Sequence, residues 1–380
     1  MLLHRYRWPL LILIVLAAAG AAARPLRAAP VVDEPPAPIV YALGRVTDIV
    51  AQTTQMVGGT SHRMTTMRVV VLRGPQRTTM ATARHVASSV EAAEAPLRAG
   101  DVIVMARDAG GLASSYDVVD RYRLPALGVA ALMFVGCAIG MSRVRGVTAL
   151  IGLGASLLIL SRFVVPRIMT GANPLAISLI AAFAIGLVSL YLAHGFNRRT
   201  SVALLGTMVT LAFATGLADV IVGLAHLSGR GSDEALFLQT GYLETVNLRG
   251  LLLGGIVLGA LGVLDDITTA QAAAVEEISR ADPELGVRDL YRRGLSVGRE
   301  HITSLVNTLV LAYAGASLPL FILFTLNTDQ PLWVMLNSEF MAEEIARTLI
   351  GSLALTLAVP ITTALAARLL RNAGTLGPTA

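Results

Sequence analysis

The stretch Gly254-Gly255-Ile256-Val257-Leu258-Gly259-Ala260-Leu261-Gly262-Val263-Leu264-Asp265-Asp266-Ile267-Thr268-Thr269-Ala270-Gln271 decides the class of this chain. It opens as an apolar run with small residues at four-residue spacing, Gly250 with Gly254 and Gly255 with Gly259. In a bilayer that spacing lets a neighbouring helix approach closely. Two adjacent carboxylates come next. A membrane helix beginning near Leu251 reaches them about 24 Å from its outer edge, at roughly 1.5 Å per residue. An ionisable group inside a span costs ~2.5–3.5 kcal/mol on insertion scales, so it faces the bundle interior or water. Asp265 shares a face with Thr268 and Thr269, whereas Asp266 points about 100° away.

The rest of the chain agrees with that reading. Of 380 residues, 54% are hydrophobic and only 14% charged, against about 45–50% and about 25% in soluble domains. So few charges cannot cover a soluble surface. The net charge of +5 is all arginine, lysine is absent and aromatics are scarce, which argues against a nucleic-acid partner. One cysteine excludes a disulfide framework, and Cys137, in an apolar run, reads as a packing residue.

The predicted fold class is an α-helical polytopic membrane protein with a small extracytoplasmic β-domain. Seven spans are expected: Leu124–Met141, Val147–Val165, Leu175–Phe196, Val202–Leu227, Leu251–Thr268, Ile302–Leu326 and Ile345–Leu370. An eighth apolar segment, Trp8 to Ala23, comes after His4, Arg5 and Arg7 and ends in Ala21-Ala22-Ala23. It reads as a signal peptide or a signal anchor, and either would export the β-domain behind it. The domain boundaries are then 1–24, 25–122, 123–371 and a tail at 372–380. Arginines set the orientation. Arg143, Arg145, Arg198, Arg199, Arg280, Arg288, Arg292, Arg293, Arg299 and Arg371 fall in connections expected to be cytoplasmic. Arg167 and Arg230, with span-edge Arg162, Arg249 and Arg347, fall on the other side. This is the positive-inside pattern of a cell-membrane protein with a cytoplasmic C-terminus.

Residues 25–122 differ from the remainder. Ala29–Pro38 is a proline-rich linker. Beyond it come β-favouring runs at Ile39–Val50, His62–Arg73, Gln76–Arg84, Asp101–Ala106 and Tyr116–Tyr122, separated by glycine and proline turn signals. Five short strands suit a small closed barrel, of which the OB type is one solution. No stacking platform is visible, so the domain reads as a structural module or one that docks an envelope partner.

The span after Arg299 carries its own polar stripe. His301, Ser304, Thr308, Ala312 and Gly315 recur at three- and four-residue steps, with Asn307 beside them. The last span adds Pro360, Thr362 and Thr363 at a similar depth. The candidate ion or solute path is therefore Asp265, Asp266, Thr268, Thr269, Gln271, His301, Ser304, Asn307, Thr308, Thr362 and Thr363, with oxygen chemistry suited to a cation or proton. The competing reading is that the aspartates are hydrated caps at the inner interface, and a helix continuing to Glu276 and Glu277 would favour it. Asp219 reads as interfacial. Enzyme readings fare worse. Adjacent aspartates on a helix do not share a proton as a protease dyad does. The histidines and Cys137 have no metal-ligand spacing, no cofactor is expected, and the glycines lie within a helix and not in a phosphate loop.

Three stretches carry a resemblance. They are Gly259 to Gln271, then Gly298-Arg299-Glu300-His301 through Ser304, Asn307, Thr308, Ala312, Tyr313 and Gly315, and Tyr191-Leu192-Ala193-His194-Gly195-Phe196 with Arg199-Thr200-Ser201 just after it. Over about Leu124 to Arg371 the chain resembles the YibE/F-like family of bacterial multi-pass membrane proteins. The resemblance implies a polytopic, permease-like protein. It carries over no substrate and no catalytic residue.

Overall fold

Strict alternation builds the N-terminal domain. In Met67, Val69 and Val71, and again in Ile103 and Met105, every second side chain is buried, as a strand with one face on a core requires. The computed structural model describes residues 39–57, 60–75, 77–88, 96–108, 115–241, 246–326 and 330–371. The expected signal segment, the proline-rich linker and the tail at 372–380 lie outside these residues. The described residues form five strands: β1 (Ile39–Val57), β2 (Thr60–Arg73), β3 (Met80–Ser88), β4 (Val102–Asp108) and β5 (Ser115–Arg121). They close a barrel in the order β1-β2-β3-β5-β4, with β1 paired to both β2 and β4 and β3 parallel to β5.

β1 serves two neighbours by bending at three register shifts between Leu43 and Ala51. Gly44 sits at the first of them, and a Cβ there would meet the Met105 sulfur at 2.7 Å. Tyr116, Met67, Ile103 and Met105 fill the interior. At the base, Arg121 donates to the Pro96 carbonyl (2.7 Å) and Arg123 pairs with Asp120 (2.6 Å). The Arg123 hydrogen bond holds the Asp120 carboxyl below its usual value.

The remaining chain is helical: α1 (Leu124–Ser142), α2 (Val144–Met169), α3 (Pro174–His194), α4 (Arg198–Leu224), α5 (Asp233–Gly241), α6 (Leu248–Ala281), α7 (Val287–Ala316), α8 (Leu318–Leu326), α9 (Leu332–Leu336) and α10 (Glu339–Leu369). Within α2 the turn Leu160–Val164 widens to π geometry just before Pro166, whose ring leaves no room for an ordinary bond to the preceding turn. Two compact units result, one ending at Cys137 and one beginning at Ala138, so their boundary falls inside α1.

Among the described residues, six helices are long and apolar enough to cross a membrane: α1, α2, α3, α4, α6 and α10. The expected span Ile302–Leu326 is not one helix. It is divided at Ser317 between α7 and α8, because Pro319 lacks the N–H that would continue the ladder. Cys137 is exposed and not a packing residue, since α1 buries no side chain.

Asparagines start three of the long helices. Asn173, Asn197 and Asn247 accept hydrogen bonds from the third helical N–H of α3, α4 and α6 at 3.1, 2.8 and 2.9 Å. The bundle core joins Ala181 and Ile185 of α3, Leu211 and Ala214 of α4, Leu261 and Leu264 of α6, and Ala354 and Val359 of α10. Alanine is frequent there because small side chains let membrane helices pack closely. α4, α6 and α10 pack on one another, with α3 against α6 and α7 along α10.

Met67 and Leu264 are fully buried in the barrel and the bundle respectively. Met67→Ala is expected to destabilise the barrel by ~2–5 kcal/mol and leave the bundle unchanged. Hydrogen exchange on the full chain would show faster exchange confined to the five strands.

Candidate intramembrane polar site

Each long helix of the central trio brings polar groups to its buried face. α6 is 34 residues long and continues through Gln271 to Ala281, about 51 Å and well beyond a hydrocarbon core of roughly 30 Å. Its buried stripe includes Thr268, Gln271, Glu276 and Ser279. Thr207 and Thr210 of α4 and Thr362 and Thr363 of α10 are buried as well.

Hydrogen bonds connect these residues across the helices. The Gln271 amide nitrogen donates to the Gly294 carbonyl of α7 (2.8 Å) and to the Thr363 hydroxyl (2.8 Å). The Thr363 hydroxyl in turn donates a hydrogen bond to the Val359 carbonyl (2.6 Å). One turn toward Leu248 along α6, the hydroxyls of Thr207 and Thr268 are 2.7 Å apart. Thr207 and Thr268 thus fix the antiparallel register of α4 on α6. That register puts Thr210 of α4 level with Asp265 of α6, one further turn toward Leu248.

Four buried oxygens on this trio have no hydrogen-bond partner among the described residues: Asp265 Oδ1, Thr210 Oγ1, Thr362 Oγ1 and Gln271 Oε1. Most hydroxyls in these helices return a bond to the carbonyl one turn back, as Thr207, Thr356 and Thr363 do. Thr210 and Thr362 do not. Thr362 Oγ1 instead rests against Gly206, where a Cβ would meet it at 2.5 Å. Gln271 Oε1 rests against Gly298, where a Cβ would meet it at 2.9 Å. Such Cα–H contacts are weak, so these oxygens keep lone pairs to offer. Pro360 frees one further acceptor on α10, the Thr356 carbonyl.

The other candidates lie elsewhere. Asp265 is half-buried and Asp266 exposed, while Thr269 returns its hydroxyl to the Asp265 carbonyl (2.8 Å). His301, Ser304, Asn307 and Thr308 are all exposed on the outer face of α7, which buries only Leu290, Gly294 and Gly298. The structure thus brings Thr268, Gln271, Thr362 and Thr363 together and leaves the α7 stripe outside. Asp219 is exposed and bonded to Arg249 (2.8 Å). Two cavities lie away from the seam. One, of about 670 Å³, is lined by Phe196, Arg198 and Leu369, and the other, of about 210 Å³, by Tyr313, Phe321 and Glu344.

Sequence reasoning missed Thr207, Thr210, Gly206 and Gly294. Threonines one turn apart in an apolar span, Thr207 and Thr210, are the available signal. Also missed was Glu276 at the Ala281 end of α6, buried between Arg280 (2.9 Å) and Arg199 (3.5 Å). Among the described residues no cluster of histidine, cysteine and carboxylate side chains has metal-binding geometry.

Gln271→Leu and Thr363→Val should each destabilise the bundle, and the double variant should reveal a coupling of about 0.6 kcal/mol, not above ~1.7. Reversible unfolding of the full chain in mixed micelles measures it.

Comparison with known proteins bears on the helical part of the chain. No curated protein and no solved structure matches it. One family profile, described as YibE/F-like protein, matches residues 130–372, from α1 to just past α10, and leaves out the barrel. With the bundle matched nearly end to end, the chain belongs to the YibE/F-like family.

Proposed function

We propose that this protein is a permease-like membrane protein that moves a small ion or solute along the seam between α4, α6 and α10, with no enzymatic step. The observation that carries the reading is the set of unpartnered buried oxygens on Asp265, Thr210, Thr362 and Gln271. An unpaired polar atom in a low-dielectric interior costs ~1–3 kcal/mol by protein mutational data. A bundle built to be inert would have returned the two threonine hydroxyls to its own carbonyls and met the Asp265 and Gln271 oxygens with N–H or O–H donors. Groups left open at membrane depth suit a passing species that brings its own complement, such as a cation or a proton. The continuation of α6 to Ala281 favours hydration of the exposed Asp266, while Asp265 keeps one oxygen turned inward.

The arginine distribution supports a cell-membrane protein with the barrel outside and the α3–α4 and α6–α7 connections in the cytoplasm. That orientation asks for a further crossing, which α7 and α8 together supply. The strand order, with β1 between β2 and β4 and β3 parallel to β5, supports an OB-type barrel. A second reading makes the bundle a scaffold whose barrel binds an envelope partner. Ile39 (53%), Tyr41 (61%) and Val86 (62%), exposed on the barrel wall, favour it.

Purified full chain in liposomes carrying Na⁺-, K⁺- or pH-sensitive dyes tests the transport reading. Asp265→Asn is expected to cut flux at least tenfold with insertion unchanged, and Thr362→Val to cut it several-fold. Flux indifferent to both variants removes the seam as the path and leaves the scaffold reading.

A further inference from the structure

The outer surface of α6 and α7 poses a separate problem. α6 exposes Gly259, Gly262 and Asp266 along one stripe, and a Cβ at Gly262 would meet nothing. α7 exposes Ser304, Thr308 and Ala312 at four-residue spacing, with His301 and Asn307 on the same side. Small residues at that spacing are a helix-packing surface in membranes, yet Gly262, Asp266 and the α7 stripe all stay exposed among the described residues. The ionisable Asp266 and the polar His301, Ser304 and Asn307 are a second, independent feature, because an exposed acceptor and exposed donors on one surface complement each other across a symmetric contact.

The register between the two helices relates the stripes. Tyr313 reaches Gly259, and Val275 packs on Gly294, so α6 and α7 run antiparallel with a fixed offset. That offset sets Gly262 level with Thr308, and Asp266 level with Ser304, within a turn of His301. Acceptor and donors lie at one depth, and so do the smallest residues.

We propose that these stripes form a homodimer interface, in which α7 of one copy packs on α6 of a second copy about a two-fold axis along the membrane normal. Such an axis preserves depth, so every residue meets residues of its own level in the other copy. The Asp266 carboxylate then accepts hydrogen bonds from His301 and Ser304 of the second copy, and the reciprocal pair forms by symmetry. Gly262 admits Thr308 of the second copy into close contact. The face carries its own complement, which an unrelated partner would have to match by separate means. This interface is independent of what passes through the seam.

The test uses the full chain in native membranes, with Cys137→Ser removing the single native thiol. Two differently tagged copies are co-expressed, one carrying Gly262→Cys and the other Thr308→Cys. Oxidation should link the two tags, whereas Leu305→Cys, half-buried on the face of α7 toward the bundle, should not link to Gly262→Cys. In lipid nanodiscs the parent protein should be dimeric, and Gly262→Leu, at a position where a Cβ meets nothing among the described residues, should lower the dimer fraction at least tenfold. Asp266→Leu should do the same. A parent protein that stays monomeric, or Gly262→Cys and Thr308→Cys copies that do not cross-link, overturns the proposal. So does a dimer indifferent to both Gly262→Leu and Asp266→Leu.

Discussion

One side-chain amide ties the bundle together. Gln271 reaches from α6 to a backbone carbonyl of α7 and a hydroxyl of α10, so three helices are joined through a single nitrogen. Gln271 is buried, so no water competes for that nitrogen, and leaving it unpaired would be costly. The helices must therefore sit close enough for a short side chain to span them. Gly294 and Gly298 on α7 meet that demand, since a methyl at either would collide with Val275, Val359 or Gln271 itself. Gly206 on α4 plays the same part against Thr362.

That constraint divides the polar groups into two populations. Those on the α4–α6–α10 trio are enclosed, and their bonding is incomplete at four oxygens among the described residues. Those on the outer faces of α6 and α7 stay exposed among the described residues. Both populations sit within a few turns of each other along α6, so Asp265 and Asp266, adjacent in sequence, belong to different surfaces. The difference is the step of about 100° between neighbouring helix positions.

Much of this is legible in the residues alone. The apolar blocks mark the spans because the hydrocarbon core sets their length, and alternating β-favouring runs mark five strands. The Asp-Asp pair and Thr268, Gln271, Thr362 and Thr363 stand out because polar residues are rare in such segments. Thr207 and Thr210 do not stand out, since a threonine hydroxyl is usually silenced by its own helix. Nor does the polar stripe of α7 betray its direction. Periodicity shows that residues share a face, not which side of the bundle that face meets. The break at Ser317 is signalled only by Pro319.

By itself, then, the sequence determined the membrane class, the five-stranded N-terminal domain and the short set of residues with chemistry to offer. Composition and period are local properties, and a bilayer converts them directly into length and depth. Tertiary structure alone decided which residues at a given depth face one another. That choice rests on helix register and on where a missing Cβ lets two backbones meet. It is why Gln271 and Thr363, 92 positions apart, are bonded, while His301 and Asn307 look outward.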